Sequence, residues 1–191
     1  MAGRQAKALT DPIIRKTLLI AQARPLGKRD QVMILLSLRA GLRACEIAGL
    51  DWSMVLDANG KVGSSIAIPD TIAKMGSGRR VPMHPDLRKA LTKLAPPAAR
   101  IGPVITSAKG GHLRPNSIVN WFVVLFAEVG AAGCSSHSGR RTFITNAARN
   151  AHRSGATLRD VQLLAGHKSI EVTQRYIDGD SDAQRRLVHS L

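Results

Sequence analysis

Residues 164–176 read Leu-Ala-Gly-His-Lys-Ser-Ile-Glu-Val-Thr-Gln-Arg-Tyr, a glycine turn, a short helical stretch and a tyrosine. The turn at Gly166 closes a helix expected over 157–165, which opens on a capping threonine, and it presents His167 in a tight bend. Tyr176 stands nine residues further on, at the end of a polar, basic helix expected over 169–176. It is the only tyrosine in the chain. The ordinary reading of a lone tyrosine is a buried structural residue; the basic setting of this one argues for chemistry.

Working back along the chain, His137-Ser138-Gly139-Arg140-Arg141 falls within a helix expected over 136–150. The i, i+3 spacing puts the imidazole of His137 and the guanidinium of Arg140 on one face, with Arg141 pointing elsewhere. Such a pair at a helix start suits a phosphate, although a plain core or surface histidine fits too. The helix before it, over 116–128, carries Ile118, Phe122, Leu125 and Phe126 on one side.

The N-terminal half reads as helices and a small sheet. Asp11-Pro12 caps a helix with Ile13, Ile14, Leu18 and Leu19 inward, ending before Pro25. A very apolar helix follows over 29–39, Gly41 breaks it, and a third spans 42–50. On that third helix Arg43 and Glu46 share a face and pair, an unremarked surface ion pair when taken alone. Three short strands are expected over 52–56, 64–68 and 79–83, with an Asn-Gly turn at 57–60 and a glycine-rich one at 76–78. Lys74 flanks that second turn with Arg79 and Arg80 opposite, so its tip either reaches a DNA groove or is simply solvated. A helix over 86–95 closes at Pro96-Pro97. The fold class is α+β, mainly α, with a small three-stranded antiparallel sheet.

Charge narrows the function. Lys and Arg number 28 against 13 Asp and Glu, a formal net charge of +15 in 191 residues. That balance attracts polyanions, nucleic acid first among them. Hydrophobic residues make up 44%, enough for a folded core. The aromatic side chains are Trp52, Trp121, Phe122, Phe126, Phe143 and Tyr176, too few for base stacking along a single strand. Phosphate contacts on duplex DNA are the better expectation. The longest apolar runs, 32–38 and 121–127, are too short to cross a bilayer, and residues 1–7 are polar and basic with no signal core. Cys45 and Cys134 lack metal-ligand spacing and read as apolar fillers in a cytosolic protein.

Taken together, Arg43, Lys74, His137-x-x-Arg140, Gly166-His167 and Tyr176 resemble, in order and spacing, the active-site set of the tyrosine recombinase (phage integrase) family. The framing words Gly-Leu-Arg-x-x-Glu-Ile (41–47), Arg-Arg-Val-Pro (79–82) and Gly-His-x-Ser (166–169) agree as well. Each word alone is a weak signal; the ordered series is specific. The resemblance runs from about residue 9 to 176.

The resemblance implies a single catalytic domain over 1–191 that cleaves and rejoins duplex DNA. Tyr176 attacks the scissile phosphate to give a 3′-phosphotyrosine and a free 5′-hydroxyl. Arg43 and Arg140 grip the non-bridging oxygens, and Glu46 orients Arg43. His137 takes the tyrosine proton, His167 adds a phosphate hydrogen bond, and Lys74 protonates the departing 5′-oxygen. Arg79, Arg80, Arg141, Lys168 and Arg175 are expected DNA contacts. No metal, ATP or other cofactor is implied. The partners are double-stranded DNA and further copies of the chain, as a homotetramer on DNA and a monomer in solution, acting in the cytoplasm on the nucleoid. The segment 177–191, with Leu187 and Val188 on a short helix, either docks on a neighbouring subunit or folds back.

Two departures stand out. The box around Arg140 commonly has an apolar residue where Gly139 stands and a histidine where Arg141 stands. Only about eight residues precede the resemblance, so the usual N-terminal core-binding domain is expected to be absent, its help coming from an accessory DNA-binding protein or a separate domain. A type IB topoisomerase and a non-cleaving DNA-binding regulatory module are the rival readings. A basic ribosomal or nucleoid protein explains the charge but none of the ordered motifs.

Overall fold

The computed structural model describes residues 6–107, 109–176, 185, 188 and 189. The expected docking of 177–191, Leu187 included, therefore falls almost entirely outside the described residues. Helix α1 (Asp11–Gln22) leads into α2 (Gly27–Arg39) and the short α3 (Ala44–Ala48). Strands β1 (Ser65–Ile68) and β2 (Arg79–Pro82) form a hairpin, followed by α4 (Pro85–Leu94) and α5 (Pro115–Val129). The chain continues through α6 (Ser138–Asn150), α7 (Leu158–Ala165) and α8 (Ile170–Gln174).

Helix α2 is the axis of the core. Its run Val32, Met33, Ile34 and Leu36 is apolar nearly all round, and all four are essentially inaccessible. Helices α1, α4 and α6 pack around it, while α5 covers α1 and α3. Helix α5 buries the expected face: Ile118, Phe122, Leu125 and Phe126. The segment ahead of α1 is fastened to α6, because the Leu9 amide donates to the Thr142 hydroxyl at 2.8 Å.

Two expectations are corrected. The sheet has two strands, pairing Ser65 with Pro82 and Ile68 with Arg79. The third expected strand is a 3₁₀ turn over Trp52–Met54, and Leu56 makes only a lone bridge to Val62. The cause is the i, i+3 spacing of the two buried residues there, Trp52 and Val55, which a helical turn satisfies and a strand does not. On α1, Leu19 is 67% exposed rather than inward. Thr17 and Ala21 take the buried stripe, since the Thr17 hydroxyl satisfies itself by donating to the Ile13 carbonyl at 2.7 Å.

Helix α3 is shorter than expected because Leu42 and Arg43 are still part of the turn that leaves α2; the Leu42 amide returns to the Leu36 carbonyl. Among the described residues no helix is long and apolar enough to cross a membrane.

Candidate active site

The site is assembled on the buried carboxylate of Glu46. Helix α3 starts at Arg43, whose amide donates to Glu46 Oε2 at 2.8 Å and whose Nη1 donates to Oε1 at 2.9 Å. Arg79 approaches from β2 and donates from Nη1 and Nη2 to the same two oxygens at 2.9 and 3.0 Å. Glu46 has no solvent exposure. Burial alone would raise its carboxyl, but hydrogen bonds and charge from Arg79, then from Arg43, hold it below the ordinary carboxylate value. One anion thus fixes two cations and leaves a surplus positive charge facing the cleft.

Strand alternation explains why Arg79 is there. It shares the inward side of β2 with Val81, while Arg80 points outward and donates to Ser65 Oγ at 3.0 Å. Arg79, expected among the DNA contacts, is therefore committed to Glu46 and to the Leu164 carbonyl, with its side chain 6% exposed. Arg80 and Lys168 are exposed beside the glycine turn at 76–78, where both line a second cavity.

Arg140 is buried on α6. Its Nη1 donates to the Gly41 carbonyl and its Nη2 to the Ala165 carbonyl, so it joins the α2–α3 turn to the end of α7. Burial, and then the charge of Arg43, push it down to about 10, which leaves it cationic at neutral pH. Nη2 also meets His167 Nε2 at 3.1 Å. A guanidinium can only donate, so Nε2 carries the lone pair. The proton then sits on Nδ1, which donates to the buried Thr173 hydroxyl at 2.9 Å. Burial first, then Arg140, Arg43 and Arg79, bring His167 down to about 4. It is neutral, with no N–H to spare.

The turn holding His167 admits only a small residue. Gly166 has φ +62, and a Cβ there would press on the Arg79 guanidinium at 3.0 Å. Its carbonyl also accepts from Arg43 Nη2 at 3.5 Å. His137 stands immediately before α6 at the rim; burial and then the charges of Arg140, Lys74 and Arg43 lower it below the ordinary histidine value. Lys74 is exposed in the loop between the strands. That loop is closed by Asp70, which accepts from the Gly78 amide at 2.7 Å, and by Ser77, whose hydroxyl donates to the Lys74 carbonyl.

Tyr176 is half-buried just beyond α8. Its ring lies 5.5 Å from that of His167 at an interplanar angle of 23°. The Arg141 guanidinium carbon is 5.7 Å from the Tyr176 ring centroid, and Thr145 Oγ1 donates to the Tyr176 carbonyl at 3.3 Å. A cavity of about 390 Å³ opens here, lined by His137, Arg140, Arg141, Arg175 and Tyr176. The departure at Gly139 has a packing cause: a Cβ would collide with the Ser37 hydroxyl of α2. Glycine lets α6 sit close on α2 and so sets the depth of Arg140.

Sequence reasoning passed over Asp70, Thr173, Thr145 and Ser37. Only Asp70 left a local signal, a carboxylate after proline ahead of a glycine turn; Thr145 and Ser37 meet Tyr176 and Gly139 from distant parts of the chain, and Thr173 meets His167 only through the turn between them.

A helical domain bearing a two-stranded hairpin has solved counterparts. The XerA recombinase crystal structure superposes with a TM-score of 0.74 at 20% identity, over 100% of this chain and 65% of that one. A lambda integrase dimer bound to a COC′ core site gives 0.69 at 18% identity, over 95% of this chain and 62% of that one. At such identities these show the fold. Residues 7–182 match the phage integrase family, and the chain belongs to that family of tyrosine recombinases. The tyrosine recombinase XerC of Rhodospirillum centenum is 30% identical over 175 residues, 89% of this chain and 48% of the relative. XerC of Myxococcus xanthus is 27% identical over 165 residues, 79% of this chain and 50% of the relative. The chain spans about half the length of the curated relatives it matches.

Proposed function

We propose that this chain is the catalytic domain of a site-specific recombinase that cleaves and rejoins duplex DNA through a 3′-phosphotyrosine. The observation that carries the reading is the chain of contacts that joins Arg43 to the Gly166 turn, Arg140 to His167 and His167 to Tyr176, beside the cavity lined by Arg140 and Tyr176. A phosphodiester resists attack because it is anionic and its leaving alkoxide is poor, so the site must supply charge neutralisation, a nucleophile and an acid.

Arg43, held by Glu46, and Arg140, held by two carbonyls, supply fixed positive charge for the non-bridging oxygens. Both are aimed before the substrate arrives, which removes reorganisation from the reaction. His137, neutral at pH 7, accepts the phenolic proton as Tyr176 attacks the phosphorus, and Lys74 gives a proton to the 5′-oxygen as that bond breaks. The roles of Lys74 and His137 rest on the family resemblance, and Arg80, Lys168 and Arg175 are offered as DNA contacts on their charge. His167 needs a change of state to serve the phosphate. Once a phosphate oxygen takes over the Arg140 hydrogen bond, Nε2 is free to gain a proton, and the added negative charge favours that gain.

Double-stranded DNA is the partner, a reading supported by the net charge of +15 and by the DNA-bound lambda integrase neighbour. Exchange between two duplexes calls for a tetramer on DNA, with the rest of the clamp from a core-binding domain or accessory protein, and the setting is the cytoplasmic nucleoid.

The test is to incubate the protein with nicked duplex suicide substrates, alone and beside a supplied core-binding domain, then denature and look for a covalent adduct. An adduct that disappears in Tyr176→Phe supports the reading. DNA binding without any adduct under both conditions refutes it and leaves a regulatory module.

A further inference from the structure

We infer that Arg141 is a positioning residue for the nucleophile: its guanidinium clamps the Tyr176 ring to α6, and it is not primarily a phosphate contact. The inference rests on the reading of Tyr176 as the nucleophile.

The geometry is that of one helix face. His137, Arg141 and Thr145 are spaced by four residues along the start and first turns of α6, so they form a single ridge. Two contacts along that ridge converge on Tyr176. Thr145 donates to the Tyr176 carbonyl, and the Arg141 guanidinium carbon lies 5.7 Å from the centre of the Tyr176 ring. His137 shares the cavity with both. The ridge therefore holds the backbone and the ring of Tyr176 and brings both to the candidate base.

Anchoring of this kind is needed here. Tyr176 lies beyond the last turn of α8, so no helix fixes its side chain. One ring neighbour, His167, belongs to the turn before α8. Arg141 belongs to α6, the same helix as Arg140, and so ties the nucleophile to the element that carries the phosphate clamp. Adjacent helical positions diverge by about 100°, which is why Arg140 is buried on carbonyls while Arg141, half-buried, reaches the ring. The cationic side chain at the place where the family commonly has histidine is thus matched to an aromatic face, the geometry in which a guanidinium attracts a ring.

The test compares the full chain with Arg141→Gln and Arg141→Lys by three readouts. Nitration by tetranitromethane without DNA reports the docking of Tyr176 alone, because the chain has a single tyrosine. Affinity for duplex DNA and its salt dependence report phosphate contact. Single-turnover cleavage of a suicide duplex at saturating DNA reports delivery of the nucleophile. The clamp predicts that Arg141→Gln nitrates faster and cleaves about five- to tenfold more slowly, with affinity and salt dependence unchanged, and that Arg141→Lys recovers part of both. Unchanged nitration, with weaker binding and a salt slope reduced by about one, is the signature of a phosphate contact and overturns the inference. Should the wild-type protein form no adduct, the recombinase reading fails, and the nitration comparison still decides whether Arg141 holds the ring. Should Arg141→Gln not fold, Arg141→Lys, which keeps the charge and the aliphatic stem but loses the planar fork, carries the nitration comparison, and a rate equal to wild type then counts against the clamp.

Discussion

Arg140 Nη2 donates to His167 Nε2 at 3.1 Å, so the imidazole meets the guanidinium by its lone pair. The site therefore holds its positive charge on arginine and keeps its two histidines neutral. The pKa of His167 is brought to about 4, and His137 also lies below its ordinary value.

This makes stability depend on pH with a definite sign. The unfolded chain takes up a proton at His167 near its ordinary value of 6.5, whereas the folded chain does so only near 4. Stability is thus full above 6.5 and is lost as the pH falls toward 4, because the unfolded state binds more protons in that window. The loss from His167 is about 1–2 kcal/mol, since the half-exposed ring is screened by solvent. Urea unfolding from pH 7.5 to 4 measures it, and His167→Gln should flatten the profile. A mutant profile as steep as wild type contradicts the assignment.

Glu46 touches no substrate in the proposed reaction, yet its removal should be among the most damaging changes. Glu46→Ala leaves the Arg43 and Arg79 side chains, 18% and 6% exposed, without their shared anion. Breaking a buried pair on one side costs about 3–5 kcal/mol. Chemical unfolding should show a loss of that order, with Glu46→Gln in between, and cleavage should fall in both.

The close contact of Gly139 with Ser37 predicts a double-mutant cycle. Gly139→Ala forces a methyl onto the Ser37 side chain and should cost about 1–3 kcal/mol. Ser37 Oγ is buried with no hydrogen-bond partner, so Ser37→Ala alone should be neutral or mildly stabilising. Combining the two should recover part of the loss. Additive effects in the unfolding midpoints show that the contact is not the cause.

Charge neutralisation by arginine predicts indifference to metal removal. Adduct formation should proceed at the same rate after exhaustive dialysis against EDTA. A drop that magnesium restores shows that a divalent ion is shared with the phosphate, and the clamp role of Arg43 and Arg140 must then be revised.

Much of the fold was legible because it follows local rules. The cap at Thr157, the glycine turns and the apolar face of α5 each lie within a few residues of their own signal. The catalytic candidates were legible for another reason, since their order and framing words survive in the linear chain. The errors came from reading period from too few residues. Trp52 and Val55 looked like part of an alternating strand until their common burial showed a helical turn. Thr17 took a core position that apolar pattern assigns to Leu19, because a threonine can satisfy its hydroxyl on its own helix. Ser37 and Thr145 carry no local mark, since the residues they touch, Gly139 and Tyr176, lie in other segments.

The carbonyl that aims Arg140 belongs to Gly41, 99 residues earlier, while the candidate nucleophile lies near the far end of the chain. Every candidate side chain is present in the unfolded chain, but contacts of such span form only when the whole domain has closed. Assembly of the candidate site is therefore tied to closure of the whole domain rather than to any one of its helices.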